Sequence, residues 1–395
     1  MKDRQRIEAL QAVMDERIGV KDAAKVLDRS VRQVFRLLRK LRWEGLQGLI
    51  HGNRGKESPR KTSSSLEKKI LDLAKGKYQD INDRHLCEIL ARENKIKIGR
   101  ETLRRILRAQ GLSPKQKKKR SKYRKRRERK EAFGIMIQID ASPHDWLEGR
   151  GPWMTLVGGR DDATNHTWAR FEKTENLWGY LHLARSIADS HGLPLSLYSD
   201  KHTIFFSPRL PTIEEQLHDQ IPRTQFGRAM EELGITLIPA HSPQAKGRIE
   251  RCWGVLQDRL VVEMRLAGIS TLPDANEFLQ GFLVEWNQRF SVPAKQTTKV
   301  FRKAPSAPVL DRILCLKDTR TVQNNHTVLF EGLILQIPQP KRYSSLAKRK
   351  VQVLQFCSGE LIIEFKKSIV ATFSPQTVAR LTKHSTANSN LKRAA

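Results

Sequence analysis

Apolar residues recur at helical spacing through the first 112 positions and mostly at strand spacing beyond them. Ile7, Leu10 and Val13 form one stripe, Val20, Ala23, Ala24 and Leu27 a second, and Val31, Val34, Leu38 and Leu41 a third. Ser30 stands where its hydroxyl can accept a backbone N–H from the first turn of the third helix. Three short helices with the tight connection Asp28-Arg29-Ser30 match a helix-turn-helix, whose last helix enters the major groove. Arg32, Gln33 and Arg36 fall opposite the apolar stripe, where they can meet bases or phosphates. A Ser/Pro/Lys-rich stretch at 57–65 reads as a linker, and a second helical set follows: Leu66, Ile70, Leu73 and Ala74, then Leu86, Ile89 and Leu90, then Leu103, Ile106 and Leu107, stopping at Gly111. This is a second module of the same kind, with Arg100, Arg104 and Arg105 on or beside its last helix.

Beyond Phe133 strands alternate with helices. Over 134–140, Ile135, Ile137 and Ile139 share one face while Met136, Gln138 and Asp140 share the other. Strands follow at 153–157 and 167–171, with 158–166 turning between them. A helix at 177–190 has Asn176 as its cap and Gly192-Leu193-Pro194 as its stop. Then come a strand at 195–200, a helix at 226–233, a strand at 235–239, and a long helix opened by Ser242-Pro243 that bears Glu250. After Pro308 the pattern turns to short strands at 321–322, 327–330, 333–337, 351–356 and 361–365, with turns at Asn324-Asn325, Glu331-Gly332 and Ser358-Gly359. Residues beyond about 376 are polar, and disorder is expected there.

Charge changes this picture from architecture to partner. With 73 Lys+Arg against 42 Asp+Glu, a net charge of +31 and a pI near 10.3, the chain calls for a polyanion, and nucleic acid fits best. Twelve of the sixteen residues at 115–130 are Lys or Arg, among them Lys117, Lys118, Lys119 and Arg120, as expected of a segment that tracks a phosphate backbone. Lys341, Arg342, Lys348, Arg349 and Lys350 make a second basic stretch suited to phosphates. The four cysteines stand singly, so neither a zinc site nor a disulfide framework is indicated. No signal peptide and no membrane span is apparent, which points to a cytoplasmic protein.

Three acids carry the candidate chemistry. Asp140 and Asp200 each end a short apolar run, and Glu250 lies on a helix. Carboxylates gathered from distant positions suit a pair of hard divalent cations, which prefer oxygen ligands and promote phosphodiester chemistry. Among the remaining acids and histidines, Asp161-Asp162 are most simply hairpin residues, Asp145 and Glu148 are spare, and His202 and His241 are structural or DNA-contacting rather than ligands.

The order of strands, helices and acids resembles the ribonuclease-H-like core of DDE transposases and retroviral integrases. The segment Ser242-Pro243-Gln244-Ala245-Lys246-Gly247-Arg248-Ile249-Glu250-Arg251, continuing through Trp253 and Leu256-Gln257-Asp258-Arg259-Leu260, is similar to bacterial insertion-sequence transposases of the ISNCY-like group. The resemblance extends over most of the chain. It implies that Asp140, Asp200 and Glu250 are the catalytic triad and hold two Mg²⁺ or Mn²⁺ ions, with Asp140 shared between them. Lys246 and Arg251 would meet DNA nearby.

It also implies a multidomain chain: all-α helix-turn-helix modules at 1–56 and 57–114, a basic linker at 115–132, an α/β ribonuclease-H-like core with a mixed five-stranded sheet at 133–312, a small SH3-like β-barrel at 313–376, and a disordered tail at 377–395. The 50-residue separation of Asp200 and Glu250 includes the polar stretch 207–224, read as an inserted loop. The expected activity is cleavage of element ends and transfer of their 3′ ends to target DNA, by a homo-oligomer on double-stranded DNA. A regulator that has lost activity, or a ribonuclease acting on RNA–DNA hybrids, are the alternatives.

Overall fold

A computed structural model describes residues 2–50, 55, 61–112, 127–218, 221–240, 246–339 and 345–382. Helices α1 (Lys2–Met14), α2 (Val20–Val26) and α3 (Val31–Glu44), with a 3₁₀ turn at Gly45–Leu49, close on Leu10, Ala23, Ala24, Val34, Leu38, Leu41 and Leu49. These belong to the predicted stripes, extended by Leu49, whereas Val31 of the third stripe is exposed. The Ser30 hydroxyl accepts the Gln33 N–H, so the third helix is capped where the sequence places its start. Arg32, Gln33 and Arg36 are exposed. Helices α4 (Ser64–Lys75), α5 (Asp83–Glu93) and α6 (Arg100–Ala109) follow, with Ser63 and Asn82 capping the first two. Arg100 and Arg105 are exposed, and Arg104 pairs with Glu101.

By compactness the chain forms two units, Met1–Asp80 with Glu101–Leu112, and Ile81–Arg100 with Ser113–Ala395. The second is built on a sheet of order β3-β2-β1-β4-β5. Strands β1 (Met136–His144), β2 (Met154–Asp161) and β3 (Thr167–Glu172) form an antiparallel meander, and β4 (Ser196–Ser199) and β5 (Thr236–Pro239) add in parallel on the other side of β1. The two parallel additions need crossovers, supplied by α7 (Leu177–His191) before β4 and by α8 (Ile213–Leu217) and α9 (Gln225–Glu232) before β5. Helices α10 (Gly247–Leu266), α11 (Leu272–Phe290) and α12 (Ala307–Ile313) complete the layers.

Alternation along the strands divides the core. Ile137, Ile139, Val157 and Trp168 pack with α7 and α9, whereas Met154, Leu156 and Phe171 pack with Ile249, Trp253, Leu256 and Leu279 of α10 and α11. Strand β2 runs through Gly158 and Gly159, where a turn was expected, and the reversal is confined to the residues after Asp161. The glycines belong in the strand because a side chain at 158 would strike the Trp168 carbonyl and the Trp253 ring, both 2.6 Å from an added Cβ. Helix α11 escaped the sequence reading, since Ala275, Leu279 and Trp286 are its only fully buried residues across five turns.

Helix α5 is fastened to α10 and α11 by two polar stripes. Nearly inaccessible His85 meets Glu263 at 2.8 Å through Nε2, Arg92 grips the same carboxylate at 2.7 and 3.2 Å, and Arg259 and Arg289 both pair with Glu88. Burial alone would raise the Glu263 carboxyl, yet the hydrogen bonds from His85 and Arg92 outweigh it and hold the group down at about 2.

The last strands are β6 (Leu316–Thr321), β7 (Thr327–Phe330), β8 (Leu333–Gln336), β9 (Lys350–Gln355), β10 (Leu361–Phe365) and β11 (Ser368–Phe373). They pair as a four-stranded sheet, β11-β10-β9-β6, and a separate β7-β8 hairpin around one core of Val328, Leu335, Val353, Leu361 and Ile363. Among the described residues the pairing does not close into the expected barrel. Residues 375–382 are helical, with Val378 and Leu381 against this core, so the tail expected to be disordered from 377 is ordered as far as 382. Lys117, Lys118, Lys119, Arg120, His241, Ser242, Pro243, Lys341 and Arg342 lie outside the described residues. No helix among the described residues is long and apolar enough to cross a membrane.

Candidate active site

Parallel pairing of β1 with β4 puts Gln138 opposite Tyr198, so Asp140, two residues further along β1, and Asp200, just past the end of β4, lie side by side in the middle of the sheet. They meet through a cation from the chain itself. Lys246 Nζ donates to Asp140 Oδ1 at 2.7 Å and to Asp200 Oδ2 at 3.1 Å. The ammonium-bearing side chain is 9% exposed, and Asp140 is more enclosed than Asp200, at 17% against 48%. Burial pulls the Lys246 ammonium toward a lower pKa, but Asp140 and Asp200 overcome it and hold the group above its usual value. The other Asp140 oxygen accepts the indole N–H of Trp253 at 3.1 Å. Asp140 is thus fixed at both oxygens, and Asp200 accepts the His202 backbone N–H at its remaining one.

Lys246, Glu250 and Trp253 recur at helical spacing on one face at the start of α10. That start is anchored twice from the sheet. Gln138 Oε1, wholly buried, accepts the Ile249 N–H at 3.3 Å, and Asp162 Oδ1 accepts Arg248 Nη1 at 2.6 Å. Glu250 is exposed, and its side chain makes no hydrogen bond or ion pair among the described residues. No three His, Cys, Asp or Glu side chains among those residues stand close enough together to hold a metal, so the structure joins two acids of the predicted triad and leaves the third outside.

The neighbouring acids are taken up by hydrogen bonds and ion pairs, and Asp161 and Asp162 sit where β2 ends and the chain turns toward β3. Asp161 accepts the backbone N–H groups of Gly134, Ala163 and Thr164, while burial still raises its carboxyl. Asp162 takes Arg127, Arg248, Gln138 Nε2 and the Lys130 N–H. Asp145 accepts the Gly149 N–H, Glu148 pairs with Arg265, and exposed Arg251 donates to the Gly247 carbonyl. Gln138 and Trp253 are the site residues that sequence reasoning missed. The alternation of β1 places Gln138 on the Asp140 face, which was the available signal.

Gly158 lies opposite Asp140 in the strand register and beneath the Trp253 ring. Gly158→Ala should therefore destabilise the chain by about 1–3 kcal/mol and displace the indole from Asp140. Chemical unfolding together with the tryptophan emission maximum would detect both. An unshifted emission with intact stability would remove Gly158 from the support of the site.

Residues 1–50 match the family model of a homeodomain-like domain. The chain is 33% identical over 367 residues to the putative transposase y4bF of Sinorhizobium fredii, covering 92% of this chain and 79% of that protein. It is 32% identical over 400 residues to the transposase for insertion sequence IS1202 of Streptococcus pneumoniae, covering 92% and 84%. Among solved structures, the catalytic core domain of BIV integrase is similar at 20% identity and a TM-score of 0.25, over 36% of this chain and 79% of that one. The HTLV-2 integrase catalytic core domain in complex with magnesium (trimeric form) is similar at 14% identity and a TM-score of 0.26, over 37% and 82%.

Proposed function

The chain belongs to the transposases, and on that premise we propose that it binds the ends of a mobile element, cleaves them and joins the 3′ ends to target DNA, using Mg²⁺ or Mn²⁺ held by Asp140, Asp200 and Glu250. The observation that carries this reading is the convergence of Asp140 and Asp200, sixty residues apart, on one positive charge. A pair of carboxylates that gathers around an ammonium is an oxygen-donor set suited to a hard cation. Glu250, exposed one helical turn after Lys246, would supply a third carboxylate. Two ions bound here would activate the attacking water or 3′-hydroxyl near neutral pH and neutralise charge on the leaving oxygen.

The chain's own residues do the rest. Trp253 orients Asp140. Gln138 and Asp162 hold the start of α10 against the sheet. Lys246, released from the acid pair, would neutralise a phosphate oxygen, its role in DNA contact. Arg32, Gln33 and Arg36 on α3 would read element ends, Arg100, Arg104 and Arg105 would add contacts, and Lys117, Lys118, Lys119 and Arg120 would follow the backbone without regard to sequence. The working form would be a homo-oligomer on double-stranded DNA.

Incubating the protein with its flanking genomic DNA and Mg²⁺ or Mn²⁺, then mapping the cut strands, tests this. Breaks at the element ends are expected. Sequence-preferring binding without any break would favour the inactive regulator instead.

Because Lys246 occupies both carboxylates, removing its charge should ease metal entry. Lys246→Gln should bind Mn²⁺ roughly tenfold more tightly by calorimetry, since a hydrogen bond to a charged group contributes about 1.5–3 kcal/mol. Equal or weaker binding would show that the lysine does not compete.

A further inference from the structure

A half-open cavity of about 250 Å³ lies against the first turns of α10, lined by Arg129, Arg160, Arg248, Arg251, Trp286 and Phe290. It touches α10 through residues 248, 251, 252 and 255. At 3.6 residues per turn these lie roughly 180° round the helix from Lys246, Glu250 and Trp253. The cavity is therefore separate from the acid pair.

Its polar wall is rich in donors and poor in acceptors. Arg160 Nε and Nη1 are buried and meet no oxygen or nitrogen acceptor among the described residues, the guanidinium's one neighbouring acceptor there being the weak Cys252 thiol, and Trp286 Nε1 is buried without an acceptor among them. Buried donors without acceptors are rare, and a charged one is costly, so a missing partner is the simplest account. Positive charge is also in excess. Arg127 and Arg248 share a single carboxylate, Asp162, whereas Arg129 is bonded, among the described residues, to the Ala163 carbonyl and the Asn165 amide oxygen. Burial and the nearby Arg127 and Arg129 hold the Arg248 guanidinium below its usual pKa in spite of Asp162. Among the described residues no carboxylate lines the cavity.

We propose that this cavity is a phosphate site that receives a backbone phosphodiester of duplex DNA away from the acid pair, with Arg160 donating from its wall and Arg251 from its exposed rim. The proposal rests on the reading of the chain as a DNA transposase. An anion with several acceptor oxygens matches several donors, and a guanidinium presents a fork that fits phosphate. DNA is favoured over a free anion because the cavity is open on one side and Arg129 in its lining belongs to the most basic stretch of the sequence, 115–130.

The test is the affinity of the full chain for a labelled 30-base-pair duplex, of element-end or scrambled sequence, across a salt series. Arg160→Gln and Arg251→Gln should each weaken binding several-fold at low salt, equally for both sequences, and flatten the log–log salt slope by roughly 0.9. Arg160→Lys should restore the slope but only part of the affinity, because it keeps the charge without the fork. Should Arg160→Gln fail to fold, as judged by thermal unfolding, Arg251→Gln on the rim decides the matter.

Unchanged slopes would overturn the proposal. If inorganic phosphate then stabilised the unaltered chain and not Arg160→Gln, the cavity would be a free-anion site; if Arg160→Gln instead abolished self-association in sedimentation, it would hold an acidic segment of a second copy. Failure of the unaltered chain to bind either duplex would be a different result, removing the transposase reading itself.

Discussion

Asp140→Asn should lower end cleavage by about a thousandfold or more while leaving binding to element ends within a few-fold of the unaltered chain. The change keeps the side-chain volume but removes the negative charge shared by Lys246 and, on the reading above, by the metal ions. Metal stabilisation of the transition state is worth several kcal/mol, and each 1.4 kcal/mol is about tenfold in rate. Asp200→Asn and Glu250→Gln should behave alike, although Glu250 stands apart from the other two in the structure. End binding depends on α3, far along the chain, so it serves as the internal control. Full cleavage by any one of the three variants would remove that residue from the metal site, and gel mapping of cut strands reads the outcome directly.

Glu263→Ala should destabilise the sheet-containing unit by about 2–3 kcal/mol near neutral pH, more than any exposed pair does. Removing one partner of a fully buried ion pair costs about 3–5 kcal/mol, and the half-exposed Arg92 brings the figure down, whereas exposed pairs give at most about 1 kcal/mol. His85, buried on α5, loses its acceptor. Glu8→Ala, which breaks the exposed pair with Arg4, is the comparison and should have little effect. The pH dependence follows from the direction of the shift. Because the folded carboxyl is held at about 2, below its ordinary 4.5, the stabilisation is fully present above the ordinary value and fades as pH falls toward 2. Urea unfolding should show the gap between the unaltered chain and Glu263→Ala closing over that interval. A gap independent of pH would mean that the carboxylate contributes by packing alone.

Asp140 and Asp200 were legible because each ends a short apolar run that reads as a strand, and that periodicity is local to the run. The first module was legible for a similar reason: its stripes and the Ser30 cap are local, and local patterns survive folding. What escaped depends on register and on distance along the chain. Gly158 looks like a turn residue until the strand register sets it beneath Trp253 and opposite Asp140. Lys246 shares a helical face with Glu250, as the spacing indicates, but spacing cannot show that its ammonium turns to the two aspartates. The pairs of Glu88 with Arg259 and of Arg92 with Glu263 span 171 residues each, and no periodicity announces such partners.

The attachment of α5 to α10 and α11 bears on how such a protein can be recombined. The chain leaves its first compact unit at Asp80, contributes residues 81–100 to the second, and returns for Glu101–Leu112. A chimaera joined at residue 112, the natural seam if both helical modules were transplantable cassettes, would import α5 without the α10 and α11 side chains that complement His85, Glu88 and Arg92. A junction in the Ser/Pro/Lys-rich stretch at 57–65 would exchange only the first module and leave those pairs native. Reader swaps among relatives should succeed at that earlier seam, and at the later one only when Arg259, Glu263 and Arg289 travel with the graft.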